Sequence, residues 1–120
     1  MSEFTVQVAV MDWARDNVNT FPVLRYLFHV PNGGFRDPIT ASRMKRAGVK
    51  KGVPDLFLPV SNHLWHGLWI EMKAGGGRQS REQKDWEDFL EGQGYKYVLC
   101  HSADEAIKAL QDYLVLDVPS

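Results

Sequence analysis

The stretch Gly52-Val53-Pro54-Asp55-Leu56-Phe57-Leu58-Pro59-Val60, followed by Leu68-Trp69-Ile70-Glu71-Met72-Lys73, decides how this chain is read. Both segments are rich in branched and aromatic residues and are bounded by turn formers. Gly52 and Pro54 open the first, Pro59 and Asn62 stop it, and the triplet Gly75-Gly76-Gly77 closes the second. They read as two strands, Val53 to Val60 and Leu68 to Lys73, joined as a hairpin by a loop around Ser61 to His66. Side chains alternate along a strand, so Trp69, Glu71 and Lys73 share one face and Leu68, Ile70 and Met72 the other. A buried sheet must then place the charged set at an open edge or in a cleft. If the two strands pair, Asp55 meets Glu71 and Lys73 there.

Working outward, Val6, Val10, Trp13 and Ala14 recur at helical spacing, which predicts a helix from Glu3 to about Val18 with Ser2 as its cap. Leu24 to Val30 reads as a strand running into the turn Pro31-Asn32-Gly33-Gly34, and Asp37 to Ala47 as a short helix with Gly48 at its stop. Ser80 and Gln83 stand at capping-box spacing before a helix whose apolar face carries Trp86, Phe89 and Leu90. Tyr95 to Cys100 is a further strand, and Ser102 caps a last helix turning Ala106, Ile107, Leu110 and Leu114 inward. The order αβ(α)ββαβα predicts an α/β (α+β) fold, a central mixed sheet flanked by helices, in a single domain over residues 1–120. Trp13, Trp86, Phe89 and Tyr113 are expected in the core; Trp65 and Trp69 could equally form an interface.

The chain has 120 residues, 44% hydrophobic and 24% charged, in the range of an ordinary globular domain. No apolar run approaches the roughly 20 residues that span a bilayer, so no membrane association is expected. The first residues show no basic segment followed by an apolar stretch, and a single Cys100 cannot close an internal disulfide. A cytoplasmic, non-secreted protein of a bacterial or phage-infected cell is the expectation. The four histidines have no metal-site spacing, and the glycine triplet lacks the Lys-Ser or Lys-Thr of a P-loop.

Two carboxylates converging with a lysine suit a hard divalent cation such as Mg²⁺, beside which the lysine can orient water and offset charge developing on a phosphate. A lone Glu-x-Lys is more often an exposed pair on an amphipathic strand. The net charge of -1 is low for a nucleic-acid binder, but Arg36, Arg43, Lys45, Arg46, Lys50 and Lys51 form one cationic stretch, with Arg78 in a second. Asn32 and these seven cations fit phosphate contacts, against the default of a solvated loop.

Taken together, these motifs resemble the PD-(D/E)XK nuclease superfamily and, more closely, its VRR-NUC family. The resemblance runs over most of the chain: the helix with Glu3 and Gln7, the Pro31 to Gly34 turn, Gly48 to Leu56, Ile70 to Lys73, Ser80 to Gln83 with Trp86, and Gly94-Tyr95. It implies a restriction-endonuclease-like core in which Asp55, Glu71 and the Met72 carbonyl hold Mg²⁺ or Mn²⁺ and Lys73 serves the attacking water. Glu3 matches an acidic position that reaches the metal directly or through water, unless it is only a helix-start charge. Gln83 matches a glutamine that holds Lys73 or a phosphate, which a capping role would not prevent. Stand-alone members of the look-alike family act on branched DNA as homodimers resembling Holliday-junction resolvases, implying a structure-specific endonuclease of DNA repair type. The rival readings are a catalytically silent DNA-binding or assembly module and a restriction-like nuclease of linear duplex.

Overall fold

The computed structural model describes residues 2–31 and 37–115. Asn32, Arg36 and the turn that follows Pro31 lie outside them.

Helix α1 (Glu3–Asp16) begins where Ser2 Oγ accepts the Thr5 N–H at 3.1 Å, and it buries Val6, Val10 and Ala14 as one stripe. The segment expected as a strand from Leu24 is instead a 3-10 turn (Pro22–Tyr26), and strand β1 is only Phe28–His29. The physical reason is partly local and partly the packing of this segment on the core. Pro22 presets the first φ of the turn, and the buried residues are Leu24 and Leu27, a spacing of three that matches a 3-10 turn and not the two-residue alternation of a strand. Helix α2 (Pro38–Arg46) is capped by Asp37, whose carboxylate accepts from Ile39 and Thr40 backbone N–H groups. It buries none of its residues.

Strand β2 is shorter than expected, Leu56–Leu58, because Pro54 and Pro59 on either side have no N–H for a ladder. Strand β3 (Leu68–Met72) pairs with it antiparallel, with Leu56 opposite Ile70 and Leu58 opposite Leu68. Asn62 stabilises the connecting loop: its Oδ1 accepts from Leu64 and Trp65 N–H, and its Nδ2 donates to the Tyr113 carbonyl. Helix α3 (Arg81–Gly92) then crosses to strand β4 (Lys96–Cys100), which lies parallel to β3, and helix α4 (Ala103–Val115) follows, capped by Ser102.

The sheet order β1-β2-β3-β4 is mixed, antiparallel up to β3 and parallel at β4. Leu56, Leu58, Leu68, Ile70, Met72 and Cys100 form one core with Val6, Val10 and Ala14 of α1 and Ala106, Leu110 and Leu114 of α4. Their burial is the main source of stability. The other face carries Asp55, Phe57, Trp69, Glu71 and Tyr97, with α3 lying against its β4 side. Trp69 stacks on Phe57 with centroids 4.1 Å apart, and Trp65 lies beneath Lys96. Tyr113 joins the core as expected, its hydroxyl donating to the Val60 carbonyl. Trp13 packs on the core from its edge. Trp86 is half-buried, and Phe89, expected inside, is 58% exposed. Helix α3 packs mainly through Leu90; Trp86 lies against the Lys51 loop and Phe89 faces outward.

Candidate active site

The β2/β3 register fixes the centre of the site. With Leu56 opposite Ile70, the next pair outward is Asp55 and Glu71, so the two carboxylates project from neighbouring strands onto the same face. Asp55 is held at both ends. Its Oδ2 accepts the Met72 N–H at 2.8 Å, and its carbonyl accepts the Val30 N–H at 2.8 Å and the His29 Nδ1–H at 2.8 Å. The backbone around the site is therefore fixed by a side chain that also supplies negative charge. Beyond the strand end, Lys73 N–H donates to the Cys100 carbonyl, which extends the β3/β4 ladder to the lysine.

Among the described residues Glu71 is the one buried charged side chain, with 1% of its surface exposed. Gln83 Nε2 donates to its Oε2 at 3.2 Å, while its Oε1 is buried and meets no hydrogen-bond partner among the described residues. Burial holds a proton on Glu71 well above the usual carboxylate range, and the Asp55 charge adds to the effect. Lys73 pulls the other way, and Glu3 adds a smaller repulsion. The site therefore gathers Asp55, Glu71 and Lys73, with Glu3 close enough to be felt.

Gln83 makes the capping box its position suggested, but its amide reaches Glu71 in place of Lys73. Its Oε1 accepts the Ser80 N–H at 2.7 Å, Ser80 Oγ accepts the Gln83 N–H, and its amide nitrogen reaches Glu71. No bond between Gln83 and Lys73 occurs. Close approach of Gly52 sets the helix in place: a Cβ there would come within 2.6 Å of the Glu82 carbonyl carbon, and its φ of +86° suits glycine.

An orphaned, buried carboxylate oxygen beside a second carboxylate is a place for a cation. The donors are oxygens only, and among the described residues no three His, Cys, Asp or Glu side chains converge as they would at a protein-enclosed metal site. Such a donor set fits Mg²⁺ or Mn²⁺, which keep waters and substrate oxygens in the remaining positions, better than Zn²⁺. Asp55, Glu71 and the neighbouring Met72 carbonyl are the groups that could hold it.

The cations fall into two sets. Arg43, Lys45 and Arg46 lie on the last turns of α2, and Lys50, Lys51 and Arg78 on the loops that lead to Asp55 and to α3. All six are exposed and none forms an ion pair among the described residues, where the two ion pairs are Arg15 with Asp12 and Lys108 with Asp112.

Sequence reasoning passed over three neighbours. His29 binds the Asp55 backbone, and Gln79 Nε2 donates to the buried Tyr97 hydroxyl at 3.0 Å and to Glu87 at 3.1 Å. Burial, with the charges of Glu71, Glu87 and Asp55, raises the Tyr97 phenol far above its usual range. Tyr97 pairs with Trp69 across β3 and β4, so strand parity was the signal that could have placed it on the site's face.

The model of the VRR-NUC domain matches residues 5–104. The chain belongs to the VRR-NUC family. Its members form part of the PD-(D/E)XK nuclease superfamily, so this is a nuclease-family domain. A solved VRR_NUC domain protein superimposes with a TM-score of 0.81 at 32% identity, over 97% of this chain and 90% of that one. No curated protein matches. Asp55, Glu71 and Lys73 of this VRR-NUC domain lie within the matched segment, and Glu3 lies just before it. Among the described residues, no helix is long and apolar enough to cross a membrane.

Proposed function

We propose that this domain is a Mg²⁺- or Mn²⁺-dependent endodeoxyribonuclease that hydrolyses phosphodiester bonds in branched DNA, working as a homodimer. The observation that carries the reading is the buried Glu71, one oxygen on Gln83 and the other meeting no N–H donor among the described residues, facing Asp55 across paired strands. A bound divalent cation would polarise the scissile phosphate and make a water molecule a better nucleophile. Asp55, Glu71 and the Met72 carbonyl would hold that ion, and Glu3 would reach it directly or through water. Lys73 orients the attacking water and offsets charge on the phosphate oxygens. The water oxygen bonds to phosphorus and gives up a proton to solvent, the ester P–O bond breaks, and the leaving oxygen takes up a proton. Gln83 keeps Glu71 aimed at the ion.

Arg43, Lys45, Arg46, Lys50, Lys51 and Arg78, together with Asn32 and Arg36, contact DNA phosphates. One protomer of net charge -1 offers a narrow basic face, and two protomers related by a twofold axis offer a wide one with two active sites, which suits a four-way junction. The test is incubation of purified protein with a four-way junction and with linear duplex, under Mg²⁺, Mn²⁺ or EDTA. Metal-dependent cutting of the junction that is abolished by Asp55→Ala and Lys73→Ala is expected. Preference for linear duplex would remove the junction assignment, and binding without cutting under every metal would remove the enzyme.

A further inference from the structure

Phe89 is 58% exposed on a helix that has a core to pack against. Its ring meets Trp86 edge to face, 6.3 Å between centroids, and both border an open cavity of about 420 Å³ that is also lined by Lys50, Lys51, Glu82 and Asp85. The Trp86 indole is fixed there, because Nε1 donates to the Lys51 carbonyl at 3.0 Å. That bond uses the ring's one donor, so what the indole offers a ligand is its flat surface.

The cavity adjoins the proposed active site. Glu82 precedes Gln83, which holds Glu71, and Gly52 seats the Lys50–Lys51 loop directly on Glu82 and Gln83. Lys51 stands four residues before Asp55, a reach of at most ~14 Å, or about four base steps along one strand.

We propose that this cavity is a subsite for an unpaired nucleotide within about four nucleotides of the scissile phosphate, a proposal that rests on the nuclease reading. Bases stack on exposed aromatic rings whatever their identity, and lysine ammonium groups pair with the phosphate. Glu82 and Asp85 accept hydrogen bonds from exocyclic amino groups, so cytosine is preferred over thymine, which has none. The volume lies within the ~300–1,000 Å³ range of sites for one small ligand. A protein partner fits less well, since four of the six lining residues are charged and charged groups are depleted at the centres of protein interfaces.

The experiment is fluorescence anisotropy in EDTA with labelled oligodeoxycytidine, oligothymidine and a blunt duplex, on wild type, Phe89→Ala and Phe89→Leu, with circular dichroism confirming the fold. Both variants should weaken oligodeoxycytidine binding about 5- to 100-fold, the size of one lost base stack, and leave duplex affinity unchanged. Glu82→Gln should narrow the preference for cytosine over thymine. Single-strand affinity unchanged in either Phe89 variant overturns the subsite, as does an equal loss on duplex. Sedimentation showing a wild-type dimer and a Phe89→Ala monomer overturns it too, by assigning the face to a second copy. The junction gel is read separately: absence of cutting with intact single-strand binding removes the nuclease reading and leaves the subsite, and cutting with unaltered single-strand binding does the reverse.

Discussion

Replacing Glu71 by glutamine keeps the side chain's shape and an oxygen for the Gln83 amide, but removes the buried acid. The unfolded chain ionises this group near pH 4.5, whereas burial and the Asp55 charge keep it protonated in the fold to a much higher pH. Above pH 4.5 the native state thus holds a proton that the unfolded state has released. Native stability without metal must fall as pH rises, by about 1.4 kcal/mol per unit, until the native acid itself ionises. Between pH 6 and 8 the loss is on the order of 2–3 kcal/mol, a fall in Tm of roughly 6–12 °C for a domain of this size. In EDTA, thermal melts of wild type should show this decline. Glu71→Gln should lack most of it and be the more stable protein at pH 8. Added Mg²⁺ should raise the wild-type Tm at pH 8, because the ion binds only the folded site, and should raise that of Glu71→Gln much less. Parallel pH profiles for the two proteins in EDTA would refute the reasoning, since they would mean that Glu71 is not held protonated by its surroundings.

Three further outcomes are expected. Gly52→Ala should cost about 2–4 kcal/mol in denaturant unfolding, combining a close contact with a φ unsuited to alanine, and should lower nuclease activity by displacing Gln83; a neutral effect would show that the α3 seat yields easily. The triple substitution Arg43→Ala, Lys45→Ala, Arg46→Ala should reduce the slope of log affinity against log salt for duplex DNA by about 2.7, and an unchanged slope would take α2 out of the DNA contact. Cys100 is fully buried and its thiol is pushed up to about 12, chiefly by that burial, so Ellman's reagent should leave it unmodified at pH 8 until the chain is unfolded. Immediate labelling of the native protein would show that β4 opens readily.

What could be read beforehand depended on how local its cause is. Ser2, Asp37 and Ser80 act on N–H groups two or three residues away, so the helix starts were legible from single residues and their near neighbours. The strand that bears Glu71 was legible because its alternation places Leu68, Ile70 and Met72 against a core. Leu24 to Val30 misled because branched and aromatic residues suit a strand, while the burial of Leu24 and Leu27 against the rest of the chain selects a turn of period three. Phe89 misled in the same way, since helical spacing shows that residues share a face without showing that anything covers it. The contacts of His29 with Asp55 and of Gln79 with Tyr97 span 26 and 18 residues and depend on the assembled sheet.

Gln83 shows how local and long-range causes meet in one side chain. The capping box fixes its backbone and its Oε1 through Ser80, which leaves the Nε2 hydrogens with a defined direction, and in that direction lies Glu71. A buried carboxylate is costly when its lone pairs are unmet, so a donor already immobilised by a helix start is worth more here than a flexible one, which would lose side-chain entropy on ordering. The same pairing leaves Glu71 Oε1 facing Asp55, with no N–H donor to it among the described residues. The helix cap thus determines which carboxylate oxygen remains for an incoming cation, so that one side chain both starts the helix and orients the candidate active site.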